Sequence, residues 1–203
     1  MNCSFVRMNY LAHAYLSYNS PQILVGNMIS DFVKGAAKFS FNGNVQKGIT
    51  LHRWIDEFTD NHEATQKAKQ FFRPYYRLYS GAIVDVLYDH FLANDKSEFD
   101  DVSLKEFSKK TYLLLEENTA ELPNRFLQMF TYMKTEDWLY NYKYNEGVRK
   151  TLHGLIRRAA YLKESSTAYN LFLQHYTDLN NCYQEFFKDV KQFAKEKFEQ
   201  LNQ

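Results

Sequence analysis

The chain has 203 residues, with 25 Lys and Arg against 24 Asp and Glu, for a formal net charge of +1. That length favours one domain around one sizeable core, and a hydrophobic share of 45% excludes a disordered chain. The near-zero charge argues against bulk binding to nucleic acid, so no nucleic-acid partner is expected. The 16 Tyr and 17 Phe predict a core built on rings. Cys3 and Cys182 stand at opposite ends without a CxxC, which excludes a disulfide scaffold or zinc ribbon. Met1 to Leu16 carries Arg7, Asn9 and His13 in place of a long apolar run, and nowhere do 18 consecutive apolar residues occur. Neither a signal peptide nor a membrane span is expected, and the expected address is the cytoplasm.

Seven Gly and three Pro are too few for a many-stranded sheet, and apolar positions recur at helical spacing, so an all-α single domain over 1–203 is predicted. A first helix is expected from Asn9 to Tyr18, ended by Asn19-Ser20-Pro21. A second runs from Gln22 to Lys34, closed by Gly35. Phe39 to Asn44 reads as a loop, and a third helix spans Val45 to Asp60. Ala64 to Asn94 is helical with a break near Pro74, and Asp95 to Val102 reads as a loop. Ser103 to Asn118 forms a helix with Ser103 as N-cap and Glu106 as its capping-box partner. Leu122-Pro123 opens another helix, and Tyr144–Glu164 and Thr167–Gln203 complete the set.

Four helices carry polar pairs at i, i+4: Asn9/His13, Asn27/Asp31, His52/Asp56 and Asp85/Asp89. Each pair shares one helix face, and the neighbours (Tyr10-Leu11-Ala12, Met28-Ile29, Trp54-Ile55, Val86-Leu87-Tyr88) are apolar. Buried carboxylates need a metal, a cation or a hydrogen-bond network. Inward carboxylates and imidazoles from facing helices are a standard metal site in a bundle. Taken singly, each pair has a plainer reading. His13 alone reads as a satisfied core histidine, and His52/Asp56 alone as a helical ion pair. Asp85 and Asp89 repel unless a cation lies between them, and Arg53 can be that cation without a metal. His62 suits a helix end, and His153 and His175 read as structural. Together the pairs define a buried acidic and His cluster, with or without a metal, and they name no substrate.

Four stretches in order carry a resemblance: Met8-Asn9-Tyr10-Leu11-Ala12-His13; Gly26-Asn27-Met28-Ile29-Ser30-Asp31-Phe32-Val33-Lys34-Gly35; Gly48-Ile49-Thr50-Leu51-His52-Arg53-Trp54-Ile55-Asp56 with Thr59-Asp60; and Val84-Asp85-Val86-Leu87-Tyr88-Asp89-His90-Phe91-Leu92. Over this first half the chain resembles the acyl carrier protein phosphodiesterase (acyl carrier protein hydrolase) family. Asn61-His62-Glu63 departs from that family's proline after Thr-Asp, and Met1 to Arg7 reads as an extension. The resemblance implies an all-helical, HD-phosphohydrolase-like fold. It implies removal of 4′-phosphopantetheine from a serine of holo acyl carrier protein, with a divalent cation: Mn2+ first, Mg2+ or Fe2+ next. It also implies His13, Asp31, His52, Asp89 and His90 as metal ligands. Asp85 is then a base or a group behind the ligands, Arg53 holds phosphoryl oxygens, Asp56 and Asp60 take further catalytic places, and Asn9 and Asn27 meet substrate.

Cleaving this diester calls for charge neutralisation at phosphorus and a proton for the departing serine oxygen, for which Asp60 and His62 are candidates. An acidic carrier protein needs local positive charge. Lys34, Lys38 and Lys47 flank the second and third helices, and Arg73 and Arg77 bracket Pro74. Arg149, Lys150, Arg157, Arg158 and Lys163 outweigh Glu146 and Glu164 in a group that reads first as a solvated face. Two alternatives stand beside this reading: an HD-like phosphohydrolase of nucleotides or other small phosphoesters, and a helical binding module without turnover.

Overall fold

A computed structural model describes residues 9–159 and 164–203, and every regular element among them is a helix. The α-helices are α1 (Tyr10–Tyr15), α2 (Pro21–Ile29), α3 (Gly43–Asn61), α4 (Glu63–Gln70), α5 (Arg73–Tyr76), α6 (Ser80–Asn94), α7 (Asp101–Glu117), α8 (Asn124–Thr135), α9 (Trp138–Asn141), α10 (Asn145–Arg158), α11 (Ser166–Gln174) and α12 (Tyr176–Leu201). The expected all-α class holds. Cys3, the Met1–Arg7 extension, Met8 and Lys163 lie outside the described residues. No helix among the described residues is long and apolar enough to cross a membrane.

The expected boundaries need correction where local chemistry intervenes. The first helix stops at Tyr15, because Tyr18 and Asn19 both take positive φ, of 50° and 56°. The second ends at Ile29 and tightens into a 3-10 turn, Ser30–Phe32, before Val33 extends the chain. A second 3-10 segment, Gly35–Ser40, entered through Gly35 at φ +55°, follows and takes in Phe39 and Ser40, the first two residues of the expected loop. Asn42 starts α3 two residues early by accepting hydrogen bonds from the backbone N–H groups of Asn44 (3.1 Å) and Val45 (3.0 Å). The seventh helix is capped by Asp100, not Ser103. Asp100 accepts from Ser103 N–H at 2.7 Å and Ser103 Oγ accepts from Asp100 N–H at 2.9 Å, a reciprocal box in which Glu106 has no part. Past Ser165 one expected helix is two, parted at His175.

Helix α6 is buried from Ala82 through Ala93 and serves as the central rod. Its Val, Leu, Ile and Phe residues suit burial all round, with Asp85, Asp89 and His90 set among them. The rings predicted for the core include Phe72, Phe126, Phe172 and Tyr183, all fully buried. The closest helix crossing joins α2 to α3 at two glycines. A Cβ on Gly26 would lie 2.1 Å from the Val45 carbonyl oxygen, and one on Gly48 would lie 2.2 Å from that of Ile23. Only hydrogen fits there, so the two backbones touch. This contact brings Asn27 and His52, one and four residues beyond the glycines, face to face.

Candidate metal centre of two histidines and two aspartates

His13 sits in the last turn of α1, a six-residue helix too short to hold itself. Its N-terminus is secured from α6. The two carboxylate oxygens of Asp89 accept the backbone N–H groups of Leu11 and Ala12, each at 2.9 Å. These are orphan donors of a first helical turn, and Asn9, at the cap position, offers no side-chain bond to them. Asn27 completes the support by donating to the His13 carbonyl at 2.9 Å and to Ser17 Oγ at 3.1 Å.

His52 is oriented by the α2–α3 contact. Its Nδ1 lies 2.8 Å from the Asn27 carbonyl oxygen. A carbonyl only accepts, so Nδ1 carries the proton and Nε2 is turned inward. There Nε2 is 3.3 Å from Asp56 Oδ2 and 3.6 Å from Asp31 Oδ1. His13 Nε2 is 3.3 Å from Asp56 Oδ1. The two imidazoles stack with centroids 3.9 Å apart and planes 17° apart. Asp56 thus stands before both rings, with ligand-type atoms of the three residues within 4.8 Å of one another.

Electrostatics bind the group together. Burial pushes the His52 imidazolium down, but Asp56 and Asp31 outweigh it and bring its pKa up to about 10. Burial, and then His52, hold His13 below its usual value against the pull of Asp56. Burial acts to raise Asp56, but His52 and His13 carry it well below the ordinary carboxylate range. Both ring nitrogens of His13 and Nε2 of His52 are buried without a hydrogen bond among the described residues. With the facing carboxylates they form the N/O donor set that Mn, Fe or Zn accepts.

The remaining expected site residues fall elsewhere. Asp89 joins the first turn of α1, with both oxygens engaged as described. His90 faces away: Nδ1 donates to the Tyr142 carbonyl oxygen at 2.7 Å, and Nε2 lies 3.1 Å from the Tyr176 hydroxyl. Asp56, expected as a catalytic group, lies with His13 and His52 in the cluster of ligand-type atoms. Its i, i+4 spacing from His52 was the available signal. Asn27 is fully buried and holds backbone, where substrate contact was expected. Asn9 and Asp85 line a cavity of about 20 Å³ with Thr59 and Tyr88. Asp60 accepts from Lys69 Nζ at 2.9 Å. His62 caps α4 through Ala64 N–H (3.2 Å) and meets Asp189 at 3.2 Å. Neither Asp60 nor His62 is thereby placed as a proton donor. Exposed Arg53 ties α3 to the chain after Asp31 by donating to the Val33 carbonyl at 3.0 Å. Lys34 is exposed and Lys38 half-buried on the neighbouring 3-10 segment. Lys47 reaches Asn202 at 3.4 Å. Arg149 and Lys150 are answered by Glu146 (2.7 Å) and Glu136 (3.6 Å), so these two behave as a solvated face. The sequence reading passed over Ser17 and the positioning work of Gly26 and Gly48.

Fold and site together define an all-helical protein with a buried His/Asp centre. The model of the family described as acyl carrier protein phosphodiesterase matches residues 8–190, and the chain belongs to that family. A protein of Pectobacterium atrosepticum named acyl carrier protein phosphodiesterase is 31% identical, covering 93% of this chain and 98% of its own. Proteins of the same name from Shigella boydii serotype 18 (32% identical, 89% and 94% covered) and Enterobacter sp. (30% identical, 94% and 99% covered) are comparably similar. No solved structure matches the chain.

Proposed function

We propose that the chain is a metal-dependent hydrolase that removes the serine-linked 4′-phosphopantetheine of holo acyl carrier protein to give the apo form. One observation carries the reading. Two stacked, buried imidazoles present unbonded Nε2 atoms to Asp56, in a chain of a family whose description names this substrate and reaction class. His13, His52, Asp56 and Asp31 would hold the divalent cation, with manganese favoured and magnesium or iron as alternatives. The ion, when bound, supplies Lewis-acid polarisation of a phosphoryl oxygen.

The chain's own groups divide the remaining work. Asn27 and the α2–α3 glycine contact keep His52 in one tautomer and one orientation. Asp89 and Asn27 do the same for α1, which carries His13. The Asp31 and Asp56 side chains are 17% and 19% exposed, so the centre opens on their side, beside Val33 and Arg53. Arg53 has guanidinium donors beyond the one given to Val33, and it neutralises charge on the non-bridging oxygens. Water oxygen bonds to phosphorus and the phosphorus–serine oxygen bond breaks. The serine oxygen takes up one proton, and the products are a serine hydroxyl and a phosphomonoester. Lys34 and Lys38 flank this opening and dock the carrier protein, supported by the exposed Phe39 next to Lys38. The likeness to HD-type phosphohydrolases lies in this donor chemistry.

The test is mass spectrometry of holo acyl carrier protein incubated with the full chain and manganese, with and without excess chelator. The expected result is loss of the phosphopantetheine mass only when metal is available. No loss with any divalent cation would overturn the substrate assignment and move attention to small phosphoesters.

A further inference from the structure

A second polar concavity lies one turn beyond the His/Asp centre on α3. It has a volume of about 640 Å³ and is lined by Asp60, Lys69, Arg73, Arg77, Leu78 and the start of α6. That volume is within the usual range for small-molecule sites. Three cationic side chains face one carboxylate, and Lys69, only 8% exposed, answers that carboxylate at 2.9 Å. Arg73 is steadied by a neutral acceptor, Gln66 Oε1, at 2.9 Å. Arg77 meets no carboxylate among the described residues, so the wall keeps an excess of positive charge.

The backbone of Arg77 shows that the chain maintains this wall at a cost. Arg77 adopts φ 47°, ψ −116°, a conformation suited to glycine. Ser80 Oγ fixes it by donating to the Arg77 carbonyl oxygen at 2.7 Å. Gly81 leaves the space beside Lys69 open: a Cβ there would stand 3.4 Å from Lys69 Cε and 3.9 Å from Asp60 Oδ1. At the rim, Leu78 is 93% exposed, a large apolar side chain with nothing covering it.

We propose that this concavity is a binding site for a small organic phosphomonoester, separate from the His/Asp centre. The guanidinium groups of Arg73 and Arg77 are planar forks that match a phosphoryl dianion bidentately. Lys69 adds charge from the floor while remaining bound to Asp60. Leu78 covers the apolar body of the ligand. The site stands on its own geometry and does not depend on the reaction proposed for the His/Asp centre.

Calorimetric titration of the full chain with phenyl phosphate and with inorganic phosphate tests the proposal. Phenyl phosphate is expected to bind more tightly than inorganic phosphate. The double variant Arg73→Gln/Arg77→Gln should weaken it at least about tenfold, the loss of bidentate charged contacts. His52→Gln should bind it as the parent does. Arg77→Gly, which removes the backbone strain together with the guanidinium, should raise the melting temperature while lowering affinity, which a merely structural Arg77 would not do. Equal affinity for the two anions would overturn the phosphomonoester assignment in favour of free phosphate. Absence of heat with either anion would overturn the site. So would loss of binding in His52→Gln with none in the arginine variants, because the anion would then sit at the His/Asp centre.

Discussion

Two His/Asp groupings on neighbouring helices look alike in sequence and are used differently. His52 and Asp56 of α3 stand with His13 and Asp31, and their inward nitrogens have no hydrogen bond. Asp89 and His90 of α6 are more deeply buried, and backbone groups and a tyrosine hydroxyl take up their polar atoms. The difference lies in what surrounds each pair. The α2–α3 glycine contact presses His52 against one carbonyl and turns its other nitrogen toward Asp56 and Asp31. Helix α6 runs past the buried first-turn N–H groups of α1 and the carbonyl of Tyr142, which absorb Asp89 and His90. A residue type and spacing allow a ligand, and the unpaired backbone groups within reach decide whether it becomes one.

The sharpest way to break this comparison is at Asp56. Asp56→Ala and His52→Ala are each expected to reduce turnover of holo carrier protein by more than about 10³-fold, the scale for losing a group that organises charge in the transition state. Manganese should raise the melting temperature of the parent, because ligand binding to the native state alone stabilises it. That rise should vanish in both variants. A metal-dependent rise that survives in Asp56→Ala would remove Asp56 from the ligand set.

Gly48→Ala probes the crossing that creates the difference. Its new methyl would stand 2.2 Å from the Ile23 carbonyl oxygen, where backbone and not a flexible side chain must yield. Overpacking of this kind costs about 1–3 kcal/mol and occasionally more, and here the upper end is expected in urea unfolding. Turnover should fall along with stability, since separating α2 from α3 lengthens the His52–Asn27 hydrogen bond. An alanine variant as stable and active as the parent would mean that the crossing does not set His52.

At Asp89 a smaller effect separates a capping carboxylate from a ligand. Asp89→Asn keeps the shape but turns an amide N–H2 toward one of the two backbone donors. An unsatisfied buried donor costs about 1–3 kcal/mol, so stability should fall by that amount. Burial pushes the Asp89 carboxyl well above its usual value, against the pull of the two backbone N–H groups. The manganese-dependent rise in melting temperature should persist. Its loss would return Asp89 to the metal site.

Much of this was legible in the sequence, for physical reasons that can be named. Helical periodicity and scarce Gly and Pro gave the all-α class, and the i, i+4 polar pairs picked out His13, Asp31, His52 and Asp56. Asp89 was less readable because its partners, the N–H groups of Leu11 and Ala12, are backbone atoms 78 and 77 residues away. No side-chain pattern reports such atoms. His90 was hard to read for the same reason, since its Nδ1 partner is the Tyr142 backbone carbonyl. The helix boundaries moved where one residue could cap in two ways: Asp100 took the N-cap because its carboxylate reaches Ser103 N–H, and a cap residue is chosen by backbone angles that spacing does not fix. Gly26 and Gly48 were visible as part of the matching stretches, but their meaning required both helices at once.

His90 provides the smallest of these tests and the one most specific to its place. Burial holds its imidazole below the usual histidine value, against the hydrogen bond to Tyr142, so it is neutral in the folded chain. Around it stand Phe91, Phe172 and Tyr176, with no carboxylate or cation among its ring and hydrogen-bond neighbours. Between its folded value and the unfolded value of about 6.5, the unfolded chain binds more protons than the folded one. Stability contributed by His90 is therefore complete above that unfolded value and declines as pH falls toward the folded one. In His90→Gln the amide can still donate to Tyr142, so at pH 7.5 the loss should be about 1 kcal/mol or less. Urea unfolding at pH 5.5 and 7.5 then measures the difference between the two proteins: the penalty of the variant should shrink at the lower pH, because only the parent must keep an imidazole unprotonated. A penalty that grows on acidification would mean that His90 is charged in the folded state, with an anionic partner drawn to it, and the distinction between the two His/Asp groupings would fail at that residue.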